Sequence, residues 1–208
     1  MQKDVEKVKD MKVWKILAGM YITLLGPILA GILNSVWCRS KAMKCLQIPM
    51  DGGKNFADGR RIFGDNKTWK GFLGYIVLNM ICMVLWGAVC RGTGIEAYNL
   101  FYQGAENTFG NNLVIGLLLG LAYGLFELPN SFVKRRLGIV PGKSINGCLK
   151  AFFVFFDQAD SVFGCVLVVC LYAPITVGFY FLYVVVGAVT HIVINMLLYV
   201  MRLRKNMF

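Results

Sequence analysis

Ser161-Val-Phe-Gly-Cys-Val-Leu-Val-Val-Cys-Leu-Tyr-Ala-Pro174 opens a run that reaches Met201 without an Asp, Glu, Lys or Arg. As one helix the run would measure roughly 60 Å at about 1.5 Å per residue, against a hydrocarbon core of about 30 Å. It therefore has to turn back, and Ala173-Pro174 is the break, because proline lacks an amide hydrogen and drives the preceding residue out of helical geometry. The piece from Ser161 to Tyr172 is then too short to cross alone. Starting the helix near Ala151 adds Ala-Phe-Phe-Val-Phe-Phe and restores a full span, which places Asp157 and Asp160 inside the apolar slab near one surface.

Working outward, residues 16–38, 71–90 and 107–126 are also free of charge, and each suffices for one crossing. The count predicts an all-α, polytopic membrane protein with about five transmembrane helices. A single membrane domain is expected over 1–208, beginning with a charged tail at 1–15. Hydrophobic residues make up 57% of the chain, charged residues 16%, and the mean hydropathy is +0.61, too apolar for a soluble domain of this size. The first span has no short hydrophobic region followed by a small-residue cleavage site, so it is expected to stay. Seven cysteines form no Cys-x-x-Cys pair and support neither a zinc site nor a disulfide framework.

Outside the tail, nineteen of the remaining twenty-five charged residues fall in two windows, 39–70 and 127–160. Five crossings put both windows on one membrane face, together with Arg202, Arg204 and Lys205. That face holds sixteen of the twenty-two Lys and Arg residues, and the positive-inside rule makes it cytoplasmic. The N-terminal tail is left outside, against the preference of Lys3, Lys7, Lys9, Lys12 and Lys15. A net charge of +11 in such a chain reports anionic headgroups and topology rather than nucleic acid. The first window is rich in glycine and turn formers and reads as an ordered loop leading into a helix. The second, with Pro129 and Pro141, is expected to lie across the membrane surface.

Asp157-Gln-Ala-Asp160 is the sharpest local signal, since residues at i and i+3 share a helix face and bring two carboxylates to one point. Such a pair can hold a divalent cation, and acids inside a span are costly enough to be kept for a purpose. The alternative is that both sit at the water interface, paired with Lys or Arg. Lys134-Arg135-Arg136 offers donors for phosphate oxygens, or a topology anchor for lipid headgroups. Asp65-Asn66-Lys67-Thr68 carries the same ambiguity beside Trp69 and Lys70, as a polar cluster near a ligand or as the flank of a span. Glu127 and Asn130 either continue the site or end the third helix. His191 is expected to make an interhelical hydrogen bond rather than to act in catalysis, Gly26-Pro27 is a kink, and Asn34 is placed to face the site.

Two acids for Mg²⁺, several cations for phosphates, one membrane face and no convincing nucleophile suit phosphoryl or nucleotidyl transfer. A substrate that already carries a phosphate brings its own nucleophilic oxygen, leaving alignment and charge neutralisation to the protein.

Gly64-Asp-Asn-Lys-Thr-Trp-Lys-Gly71, Lys134-Arg-Arg-Leu-Gly138 and Asp157-Gln-Ala-Asp160, in that order between five spans, resemble the CDP-archaeol synthase family. The match runs from about Pro27 onward. Ser131-Phe-Val-Lys-Arg135 followed by Asp157-x-x-Asp160 is also similar to a reduced bacterial CDP-diacylglycerol synthase signature, without its Lys-Asp and His-Gly-Gly elements. The resemblance implies a CTP-dependent cytidylyltransferase acting on a membrane lipid phosphate at the cytoplasmic face and releasing pyrophosphate. It implies Mg²⁺ on Asp157 and Asp160, phosphates on Lys134, Arg135 and Arg136, and a nucleotide pocket that Asp65 to Thr68 help to form. Isoprenoid ether and diacyl tails are not distinguished, and the oligomeric state is left open. Two other classes fit less well. A CDP-alcohol phosphotransferase fails on its motif at Asp58-Gly-Arg-Arg-Ile-Phe63. A small transporter or scaffold with an acidic cation site would place its ionisable groups nearer the bilayer midplane.

Overall fold

The reversal at Ala173-Pro174 is a short turn. The Ala173 amide donates to Val169 O at 3.0 Å, and the Thr176 hydroxyl accepts from the Phe179 amide to cap the helix that follows. The computed structural model describes residues 13–140 and 150–203. Over these residues the chain forms α1 (Val13–Arg39), α2 (Trp69–Thr93), α3 (Phe109–Arg136), α4 (Lys150–Cys170) and α5 (Val177–Val200), each long and apolar enough to cross a membrane. α4 starts one residue before the Ala151 chosen from the aromatic run. The tail lysines at 3, 7, 9 and 12, the segment with Pro141, and the pair Arg204 and Lys205 lie outside the described residues.

One expectation fails. The window after the third span does not turn onto the membrane surface at Glu127, because α3 continues through Pro129 to Arg136. Proline deletes a single amide donor, and the helix absorbs that loss where packing holds both sides of it. At 28 residues α3 is roughly 42 Å long, so it carries Lys134, Arg135 and Arg136 beyond an apolar core of about 30 Å. Gly138, in the left-handed region at φ 75°, ends the run.

Each helix packs chiefly on its neighbours in sequence, and the tightest pairing is α2 with α3. A Cβ on Gly116 would lie 2.6 Å from Met80 Cα, and one on Gly120 would lie 2.6 Å from Ile76 Cα. Only glycine allows that approach of backbone to backbone. Met20, Met83, Ile115, Leu119, Val166 and Tyr183 fill the centre, while Val77, Leu85, Val114 and Leu182 point outward as lipid-facing residues should. α1 and α5 meet more sparingly. Tyr183 Oη donates to Met20 O at 2.6 Å, Tyr21 Oη and Thr190 Oγ1 are 3.0 Å apart, and Arg39 Nη1 donates to Arg202 O at 2.8 Å. The helices therefore form an incomplete ring around a cavity. The loop between α1 and α2, the end of α3 and the start of α4 gather at one end of it.

Candidate active site

The α1–α2 loop is organised around Asp51. Its buried carboxylate accepts from the backbone amides of Gly53 (3.0 Å), Phe63 (3.0 Å) and Gly64 (2.9 Å), and from Arg61 Nη2 at 2.7 Å. Burial alone would raise the Asp51 pKa. The Arg61 guanidinium and the three amides outweigh it and hold the group well below the ordinary carboxylate range. Thr68 Oγ1 accepts from the Gly71 amide at 3.2 Å and caps α2, so the loop leads straight into a helix. Arg136 fastens it from the other side. Its Nη2 donates to Arg60 O and Arg61 O at 3.0 and 2.6 Å, its Nε pairs with Asp58 at 2.8 Å, and its plane covers Phe56 and Phe132. Lys70, 1% exposed, donates to Ser40 O at 2.7 Å and lies over the Trp37 ring, tying the end of α1 to the start of α2.

Next to this loop lies a cavity of about 980 Å³, lined by residues of all five helices. The i, i+3 spacing on α4 does bring the acids to one point. Asn130 Nδ2 reaches Asp157 Oδ1 at 2.7 Å and Asp160 Oδ2 at 2.8 Å. Lys134, one turn along α3, makes an ion pair with Asp157, and Lys67 makes one with Glu127. Although burial opposes charge on Lys67, the carboxylates of Glu127, Asp160 and Asp157 hold its ammonium above the usual lysine range. Arg135 stands apart from these pairs. It is only 9% exposed, it lines the cavity, and its Nε and Nη1 have no hydrogen-bond partner among the described residues. A buried guanidinium left in that state is expensive unless an anion completes it.

The cavity wall brings together ten of the eleven residues selected from the sequence: Asp65, Asn66, Lys67, Thr68, Glu127, Asn130, Lys134, Arg135, Asp157 and Asp160. Within that set, Thr68 spends its hydroxyl as a helix cap, and the mostly exposed Asp65 carboxylate pairs with Arg61 at 2.6 Å. Arg136 is the exception. It lies outside the cavity wall, and its guanidinium holds two loop carbonyls and Asp58 while its Nη1 has no hydrogen-bond partner among the described residues. Glu127 and Asn130 continue the site instead of ending α3. Asn34 also lines the cavity and donates to Gly71 O at 3.2 Å, and the His191 ring contacts Gln158 O at 3.1 Å across α4 and α5, the interhelical contact expected of it. Sequence reasoning missed Asp51 and Arg61 as organisers of the loop, although Asp51-Gly-Gly is a turn signal. It also missed Tyr123 in the cavity wall, four residues before Glu127 and on the same helical face.

The donor set suits Mg²⁺. One amide nitrogen within hydrogen-bond reach of both aspartates marks a point that both carboxylates address, and Mg²⁺ typically takes one or two carboxylates and completes its shell with water and phosphate oxygens. No group of three His, Cys, Asp or Glu side chains is placed to cage a metal among the described residues. A paired-acid point beside an unsatisfied guanidinium and two lysines is equipped to hold a polyphosphate.

Comparison with known proteins agrees in outline. Residues 28–208 match the family model described as CarS-like, CDP-archaeol synthase. The CDP-archaeol synthase of Methanosarcina barkeri is 30% identical over 166 residues, covering 76% of this chain and 89% of that protein. That of Pyrobaculum islandicum is 32% identical over 161 residues, covering 76% and 80%. A solved structure of an intramembrane enzyme for archaeal membrane lipid biosynthesis shares the fold, with a TM-score of 0.57 over 85% of this chain and 92% of that one, at 23% sequence identity.

Proposed function

The chain belongs to the CDP-archaeol synthase family, and on that premise we propose that it transfers a cytidylyl group from CTP to a membrane lipid phosphate, giving a CDP-lipid and pyrophosphate. The observation that carries this reading is Arg135, a buried guanidinium with unsatisfied donors in the same cavity as the acid pair. In the reaction an oxygen of the lipid phosphate attacks the α-phosphorus of CTP. The bond from that phosphorus to the bridging oxygen breaks in line, and the electron pair leaves with pyrophosphate.

The nucleophile is already an anion, so the chain's residues bind, align and neutralise. Arg135 and Lys134 provide donors for phosphate oxygens, and Lys67, paired with Glu127, adds a fixed positive charge in the same cavity. Asp157 and Asp160 are the residues that would hold Mg²⁺, which when bound supplies charge neutralisation on the triphosphate. Asn130 keeps the two acids on one point, and the loop organised by Asp51 sets Phe63 and Asp65 to Thr68 in the cavity wall. The asymmetry of Lys and Arg along the chain supports a cytoplasmic location for this end of the bundle.

The test uses purified protein in nanodiscs with CTP, Mg²⁺ and a mixed pool of isoprenoid ether and diacyl lipid phosphates, read by mass spectrometry. A CDP-lipid mass with stoichiometric pyrophosphate is expected. No CDP-lipid from any member of the pool, or undiminished product from Asp157→Ala, would overturn the reading.

A further inference from the structure

We propose that His191 and Asn195 of α5 are positioning residues for the acid pair: by gripping Gln158 they fix the rotation of α4, and with it the direction in which Asp157 and Asp160 enter the cavity. The inference rests on the reading of those two acids as the residues that would hold Mg²⁺. Gln158 stands between them in sequence, and at 3.6 residues per turn it projects from a different flank of α4 than the acids do. Asn195 Nδ2 donates to the Gln158 side-chain oxygen, and the His191 ring stands 3.1 Å from the Gln158 backbone oxygen. One turn earlier on α5, Gly187 makes room for α4, since a Cβ there would lie 2.6 Å from Val162 Cγ1. Residues 187, 191 and 195 thus form one stripe at helical spacing, seated on the turn of α4 from 158 to 162.

From its other flank α4 is held by α3, where Asn130 and Lys134 act on the acids themselves. His191 touches that helix too, its ring centroid 6.2 Å from that of Tyr123. Gln158 and Asn195 are both buried, so the amide contact is made where an unpaired group is expensive. A carboxylate about 5 Å from its helix axis moves by about 1 Å when the helix turns by about 10°, and a misplacement of that size can cost about 100-fold in rate. Mg²⁺ is a strict judge of such a shift, because it demands a near-ideal octahedron of oxygens. The grip on Gln158 opposes a rotation that the acids cannot oppose from their own side once they are turned toward an ion.

The test uses the full chain in nanodiscs with Mn²⁺ alone as the probe, the bound ion being counted by electron paramagnetic resonance, and steady-state kinetics alongside. Asn195→Leu is expected to weaken Mn²⁺ binding at least about fivefold and to lower kcat at least about tenfold, while the KM for CTP at saturating metal stays within about twofold. The swapped pair, Gln158→Asn with Asn195→Gln, keeps an amide contact of the same overall length. It should bring Mn²⁺ affinity back to within about twofold of the wild type, where each single substitution falls short. Gln158→Leu, close to glutamine in volume, gives the same readout through the other partner if Asn195→Leu does not fold. Wild-type Mn²⁺ affinity in either folded leucine variant would overturn the proposal, and so would a swapped pair that binds no tighter than the single variants. Asp157→Ala separates this proposal from the reading beneath it. If that variant binds Mn²⁺ as the wild type does, the acid pair is not the metal site and both fall. If it loses the ion while Asn195→Leu keeps it, only the positioning role fails.

Discussion

The two ends of the bundle carry polar clusters of similar composition and opposite character. At the far end Asn107 donates to Gly87 O at 2.8 Å and to Glu96, Asn112 donates to Asn107 Oδ1 at 2.7 Å, Tyr102 donates to Asn112 Oδ1 at 3.0 Å, and Arg91 reaches Asn107 O. Each group is the partner of another, and the network joins α2, the loop after it and α3 without requiring a ligand. At the site end the ion pairs leave Arg135 unsatisfied and gather carboxylates at a single point. Polar residues in a bundle indicate chemistry when their hydrogen-bonding capacity is not used up among themselves.

The sharpest way to break the comparison is to remove one acid of the pair. Asp157→Ala is expected to lower kcat/KM at least about 1,000-fold, roughly 4 kcal/mol of transition-state stabilisation, with a fall in melting temperature limited to the loss of its pairing with Lys134 and Asn130 in a thermal-shift assay. Arg135→Leu should follow, with about a 100-fold loss in kcat/KM. Because it removes a buried, uncompensated charge, the same variant should unfold at or above the wild-type temperature. The far end should respond in reverse. Asn107→Ala strands several partners and should cost about 1–3 kcal/mol of stability, seen as a lower melting point, while kcat of the folded enzyme stays within twofold.

Two smaller effects sharpen the picture of the loop. Arg136→Ala frees the Arg60 and Arg61 carbonyls and should raise the KM for CTP about fivefold, an effect of roughly 1 kcal/mol, and speed proteolytic cleavage near residues 56–60. Asp51 supplies the smallest and most specific signal. Its folded pKa is depressed, so its contribution is present above the unfolded value of about 3.9 and is lost as pH falls toward the folded one. Protease sensitivity of the loop should therefore rise on acidification below about pH 4. In Asp51→Asn the loop should be sensitive already at pH 7, with little further change.

Much of the architecture could be read from charge placement. The five spans, the turn at Pro174 and the early start of α4 follow from lengths and from the cost of placing charge in lipid. The i, i+3 rule also brought Asp157 and Asp160 together before their partners were known. What could not be read were assignments that depend on who stands opposite. Arg135 and Arg136 are neighbours in sequence and project in different directions, so one enters the cavity and the other clamps a loop. The reach of α3 past Pro129 was hidden because a proline predicts a missing hydrogen bond, whereas packing decides whether the helix survives it. Asp51 looked like one of several turn residues, and its five donors come from positions 2 to 13 residues away.

Gly116 and Gly120 press α2 and α3 together until neither can slide without a steric collision. Lateral pressure from the surrounding lipid therefore has little purchase on that wall and acts on the opposite one, where a few tyrosine and arginine contacts bridge α1 and α5. Changes in bilayer thickness or fluidity should accordingly register in turnover well before they register in unfolding, because the compliant side of the molecule borders the reaction chamber and the rigid side carries the scaffold.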